Sequence, residues 1–357
     1  MNLRLAANRS RALERSGQGL LLAAMLACGC ERLPTRPAVV SANQVHGVTL
    51  VDWTAGGYAS ASSTNAIDAL AQIHANSMAI VITAYQTDRG ANEVRSDGPR
   101  TPSRAAVRQA IARAQALGLD VALKLHIDLD DGSWRGFIAP TDPVAWFASY
   151  QRFMLPWATF AETTGVREFV IGTELASTLG EAERWRETIR MARSAFPGEL
   201  LYAASWDEAA RVPFWRDLDG VGIDFYFPVA KRADPGRFEV LAAWQPILDR
   251  LNVLHRQTGK NILLTEIGYR SVAGAGMQPY QGGTSGTLDL AEQGDLYWAA
   301  LQATADKSWI RGMYWWNWPA DGSGGPLNTD YTPRGKTASQ ELAAAWGQVA
   351  LAGRPRE

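Results

Sequence analysis

Two short apolar runs in the chain each end on a glutamate, Phe169-Val170-Ile171-Gly172-Thr173-Glu174-Leu175 and Ile262-Leu263-Leu264-Thr265-Glu266-Ile267-Gly268-Tyr269. A buried strand that delivers a carboxylate at its C-terminal end, done twice, provides a pair of carboxyls that could work together. If one keeps its proton near neutral pH and the other is ionised, the pair can protonate a leaving oxygen and attack the carbon it leaves, which is what glycosidic hydrolysis requires. The plainer alternative is that each Glu merely caps a following helix. Two carboxylates in matched positions argue against that for both at once.

The elements that would position them alternate along the chain. Strands are expected at Gly47–Val51, Met78–Thr83, Val121–Leu125, Glu168–Ile171, Leu200–Ala204, Val221–Phe225, Ile262–Thr265 and Gly312–Trp316. Helices are expected at Ser63–Ala75, Ser103–Leu117, Pro143–Thr163, Glu181–Ala195, Phe238–Thr258, Asp289–Asp306 and Ala338–Val349, with Gly118 and Gly259 as C-caps. Only a short, weakly helical connection is expected near Asp207–Asp217. The strand count is the one that closes a (β/α)8 TIM barrel, and no internal linker or repeat divides the body. An open doubly wound sheet is the competing α/β fold. It would want a G-x-G-x-x-G turn after the first strand, where Asp52-Trp53-Thr54-Ala55-Gly56-Gly57-Tyr58 stands instead.

If the barrel closes, the strand ends face one bowl. They bring Asp52 and Trp53, then Tyr85 and Gln86, then Lys124, His126 and Asp128, then Glu174, then Ser205 and Trp206, then Asp224 and Tyr226, then Glu266 and Tyr269, and finally Trp316, Asn317 and Trp318. Carboxylates, hydroxyls and indoles in that mixture suit a sugar, because indole faces stack on the C–H faces of pyranose rings. A metal hydrolase on the same barrel would show a His-rich ligand set such as H-x-H on the first strand. The chain has 4 His, and His126-Ile127-Asp128 is a single His beside one Asp. His126 and Lys124 are therefore expected to line the cleft as polar groups, with no metal or cofactor. The Gly-rich stretch Ser271–Thr287 reads either as a flap over the cleft or as a plain surface loop.

A formal net charge of -1 over 357 residues gives no electrostatic case for nucleic acid or an anionic membrane surface. A neutral polysaccharide or oligosaccharide is the expected partner, bound by a monomer. Residues 1–30 read as an export signal, with Arg4, Arg9, Arg11 and Arg15 before the apolar Leu20–Ala27. The chain's two cysteines, Cys28 and Cys30, sit at its end and resemble the lipidated residue of a bacterial lipoprotein, although neither matches the usual lipobox well. Residues 31–44 read as a linker, 45–350 as the barrel and 351–357 as a tail. An exported protein of the periplasm or cell envelope, held to a membrane by a lipid anchor, is expected.

The segments Ile171–Leu175, Gly222-Ile223-Asp224-Phe225-Tyr226-Phe227-Pro228, Leu264–Tyr269, Tyr314-Trp315-Trp316-Asn317-Trp318 and Asp330-Tyr331-Thr332-Pro333-Arg334-Gly335-Lys336 together resemble clan A of the glycoside hydrolases. The chain is most similar to family 113, typified by bacterial endo-β-1,4-mannanases, and the resemblance covers Val45 to about Trp346. It implies retaining double displacement, with Glu174 as acid/base, Glu266 as nucleophile, Tyr226 hydrogen-bonded to the nucleophile, and Trp316 or Trp318 under the sugar. One departure stands out. Clan A usually carries Asn before the acid/base, where the amide contacts the sugar 2-OH, and this chain has Thr173, which weakens any inference about which sugar is bound. Two rivals remain: a glycosidase acting on a bacterial exopolysaccharide, and a sugar-binding lipoprotein without turnover, which would not need both Glu.

Overall fold

The computed structural model of the chain describes residues 40, 41, 43–283 and 285–352. The signal, Cys28 and Cys30, most of the linker and the end of the tail lie outside the described residues. Eight strands run β1 (Val45–Val51), β2 (Ser77–Gln86), β3 (Asp120–Leu129), β4 (Glu168–Thr173), β5 (Glu199–Ser205), β6 (Val221–Phe225), β7 (Ile262–Ile267) and β8 (Ile310–Pro319). All pair in parallel in sequence order, and β8 closes onto β1. The helices are α1 (Ala61–Gln72), α2 (Arg104–Ala116), α3 (Pro143–Thr163), α4 (Ala182–Ala195), α5 (Arg237–Thr258), α6 (Leu290–Thr304) and α7 (Thr337–Ala352). Between β5 and β6 the chain makes only two short 3-10 turns, Ala209–Arg211 and Trp215–Asp217, so that connection is as weakly helical as its sequence implies. The architecture is a (β/α)8 TIM barrel.

Local chemistry sets the helix ends. Ser60, Ser103, Asp142 and Asp289 each accept from a backbone N–H of the first turn of α1, α2, α3 and α6. Gly259 closes α5 in the left-handed region at φ 68°, where a side chain would be strained.

Side-chain period then divides each strand between two cores. Along β3, Leu123, Leu125 and Ile127 pack outward against the helices, while Ala122 points into the barrel with Val45, Ala79, Val170, Leu201, Ala203, Leu263 and Tyr314. The outer layer is rich in aromatics: Trp146 stacks on Tyr150 with ring centroids 5.1 Å apart, and Trp185 packs on Tyr202 and Phe214. Of the 14 Trp, Trp146, Trp185, Trp244, Trp315, Trp318 and Trp346 are among the most buried side chains. Each withdraws apolar surface worth about 4–6 kcal/mol, so most of the tryptophan serves the fold and only a minority reaches the cleft.

Candidate active site

At the C-terminal rim of the barrel a cleft of about 650 Å³ is lined by Glu174, Glu266, His126, Tyr226, Ser205, Trp206 and Trp316, together with Trp134, Arg135, Asp207, Tyr280 and Tyr331. The two strand-end glutamates thus meet in one basin of ligand-holding size.

Neither glutamate caps a helix. Glu174 directly follows β4 and takes a left-handed φ of 54°, a conformation that costs a side-chain-bearing residue about 1–3 kcal/mol. Its backbone N–H still bonds Ala203 O at 2.8 Å, and its half-buried carboxylate accepts from Trp134 Nε1 at 3.0 Å. Enclosure in the cleft and the charge of Glu266 push its acidity weaker than an ordinary carboxyl, against the opposing pull of Arg135 and Trp134. Gly136 packs beneath Trp134, and a Cβ there would meet the indole at 2.3 Å, so the loop needs glycine to hold that ring in place.

Glu266 is shifted the other way. Burial alone would raise it, but the Lys124 ammonium at 2.6 Å from Oε1 and the neighbouring His126 outweigh burial and hold it well below the usual carboxylate range. Tyr226 donates its hydroxyl to Oε2 at 2.7 Å, and burial and the nearby carboxylate keep that phenol protonated. Lys124 also donates to Asp224 Oδ1 at 2.8 Å, and Thr265 Oγ1 does the same at 2.8 Å. One cation thus serves two carboxylates, and burial with the charge of Glu266 pushes Asp224 well upward.

Several expected site residues lie elsewhere. Lys124 is not on the cleft wall: period two on β3 points it inward one layer below His126, fully buried between Asp224 and Glu266. Thr173 faces β3, its hydroxyl donating to Leu125 O at 2.8 Å, and at 1% exposure it is shut away from the cleft. Tyr269 is fully buried against Tyr297 because the chain has left β7 two residues earlier. Trp318 is core, its indole N–H donating to Ala66 O at 2.9 Å. The β1–β8 register shifts between Val48↔Trp315 and Leu50↔Trp318, which breaks the alternation that would have put Trp316 and Trp318 on one face. Asn317 is buried next to that irregularity. Trp53 is 43% exposed and Asp128 part-exposed, and both line a side basin with Tyr85, Arg100, Trp134 and Arg135 rather than the main cleft.

Strand ends alone missed Trp134, Arg135, Tyr280 and Tyr331, which come from loops. Tyr280, on the Gly-rich stretch, stacks on Trp206 with centroids 6.2 Å apart, and Tyr331 donates to Pro279 O at 2.6 Å, tying that stretch to the β8 side of the cleft. Tyr331 lies in the late motif Asp330–Lys336; for the others the advance signal was aromatic residues near turn glycines, as in Asp131-Gly132-Ser133-Trp134. Among the described residues no group of three or more His, Cys, Asp and Glu is placed to hold a metal ion.

A sequence profile of Glycoside Hydrolase Family 113 matches residues 50–336. Among solved structures, the GH113 β-mannanase AaManA from Alicyclobacillus acidocaldarius in complex with ManMIm is similar at 25% identity and TM-score 0.79, over 86% of this chain and 98% of that one. A second GH113 β-1,4-mannanase is similar at 25% identity and TM-score 0.78, over 87% of this chain and 99% of that one. Fungal β-1,4-galactanases, at 16% identity and TM-score 0.54, share the fold over 84% of this chain. A comparison with curated proteins gives no match.

Proposed function

The chain belongs to glycoside hydrolase family 113, and from that premise we propose that it is a retaining, endo-acting enzyme that cleaves a β-1,4-linked polysaccharide, β-mannan foremost. The observation that carries this reading is the opposed acidity of two carboxyls in one cleft: Glu174 is pushed to hold its proton and Glu266 to lose it. Glu266, ionised by Lys124 and held by Tyr226, attacks the anomeric carbon while Glu174 protonates the departing oxygen. Glu174, now a base, then takes a proton from the water that releases the sugar. Trp316 and Trp206 supply the stacking wall.

Endo action is supported by the shape of the rim. Trp134 and Arg135 line both the main cleft and a neighbouring basin of about 400 Å³ that contains Trp53, which gives a chain of sugars room to extend past the carboxyls on that side. Mannan is supported by the mannanases among the similar structures. Proton NMR of the first product from defined β-mannan, glucomannan, xylan and exopolysaccharide oligomers tests both parts. Retention with cleavage of mannan is expected; an inverted first anomer removes the double displacement, and turnover of exopolysaccharide alone moves the enzyme to the rival substrate. We propose also that the protein is exported and anchored through Cys28 or Cys30; equal solubility of the full chain and a Cys28→Ser/Cys30→Ser variant in fractionated cells would refute the anchor.

A further inference from the structure

Arg135 touches neither carboxylate, yet it governs what one of them meets. It opens the short 3-10 turn Arg135–Phe137 in the β3–α3 loop and places Nη1 2.8 Å from Nδ1 of His126 and Nη2 2.6 Å from Oδ1 of Asp128. A guanidinium has donors and no acceptor. Nδ1 of His126 must therefore accept, and the neutral ring carries its proton on Nε2. That nitrogen is buried, has no hydrogen-bond partner among the described residues, and lies 3.5 Å from Oε1 of Glu266. The ring is stacked on Trp316 with centroids 5.8 Å apart, so it has little freedom to swing away.

We propose that Arg135 is a positioning residue that acts on Glu266 through His126, confining the imidazole to the tautomer whose Nε2–H faces the carboxylate. The opposite tautomer would turn a lone pair toward a carboxylate oxygen and push Glu266 out of line. The charged groups around the ring act in the same sense. Burial, then Arg135 and Lys124, push His126 down to about 4 against the pull of Glu266, so the ring stays neutral at the pH where the cleft works. Asp128 holds the guanidinium from behind. This inference rests on the reading of Glu266 as nucleophile, but the tautomer can be measured independently of that reading.

The full chain labelled with 15N-histidine tests it. With 4 His to resolve, the His126 signals are those lost in His126→Gln. An unprotonated Nδ1 and a protonated Nε2, unchanged from about pH 5 to 8, are expected; a proton on Nδ1 overturns the proposal without any Arg135 variant. In Arg135→Met the two tautomers should mix and His126 should begin to titrate. In that variant kcat should fall about 10- to 100-fold, by more than any rise in KM from the lost cleft-wall contact. Unaltered His126 signals with unaltered kcat overturn the proposal. If that variant does not fold, Asp128→Asn, which keeps the guanidinium but loosens it, must shift both readouts in the same direction by less, and no shift in either overturns the proposal. Turnover by Glu266→Gln would instead sink the nucleophile reading and leave the tautomer result standing.

Discussion

Strand β4 carries a glutamate at each end, and the two have opposite circumstances. Glu168, at the N-terminal end, is 1% exposed with a protein donor on each oxygen: Arg311 donates to Oε1 at 2.6 Å and Tyr314 to Oε2 at 3.0 Å, with Arg311 also bound to Glu199 at 2.5 Å. Glu174, at the other end, is half-buried, holds one indole N–H, and faces the open cleft and a second carboxylate. Burial pushes both upward. A raised acidity constant therefore does not separate a structural carboxyl from a chemical one. What separates them is access: each oxygen of Glu168 is held by a protein donor and sealed from solvent, whereas Glu174 has one indole donor and opens onto the cleft.

The largest test of that contrast is activity. Glu266→Gln should lower kcat at least about 10⁴-fold, and Glu174→Ala should do the same for substrates with poor leaving groups while sparing those with very acidic ones, with azide restoring the second step. Full activity in purified Glu266→Gln would end the assignment. At the opposite end, Glu168→Ala should leave kcat of the folded fraction intact and cost about 3–5 kcal/mol in urea unfolding, because it strands part of a buried ion-pair network; a loss of kcat in the folded protein would erase the division between the ends. Next comes the sugar wall. Trp316→Ala and Trp206→Ala should each cost about 1–3 kcal/mol in kcat/KM, whereas Trp318→Ala, a core truncation, should appear as about 3–5 kcal/mol of lost stability. Smallest is a shift in pH profile. On the proposed roles, activity needs Glu266 ionised and Glu174 protonated, so it should rise on the acid side and fall as Glu174 deprotonates above the ordinary carboxylate range. Trp134→Phe removes a donor that favours the ionised form, so the alkaline limb should move up. Movement downward would mean the indole does not hold Glu174.

The barrel was legible because its signal is periodic. Each strand reads as a compact apolar run, and on β3 the alternation of Leu123, Leu125 and Ile127 with Lys124, His126 and Asp128 indicates which side faces inward. Depth is not periodic. Lys124 and His126 share a face, but one lies beneath the cleft floor and the other borders it, a difference fixed by the stagger of neighbouring strands. The register shift on β8 likewise leaves no mark in Trp316-Asn317-Trp318. Trp134, Arg135 and Tyr280 escaped because loop side chains reach the site through contacts 9 to 74 residues apart in sequence, such as Arg135 with His126 and Tyr280 with Trp206.

The β3–α3 loop places consecutive residues on separate errands: Trp134 reaches Glu174, and Arg135 reaches His126 beside Glu266. A protein engineer exchanging that loop between relatives would transplant the tuning of both carboxyls in one cassette, while the strands that carry them stayed untouched. The same adjacency makes the segment fragile to insertion. A single added residue between Trp134 and Arg135 would turn one of the two away from its target.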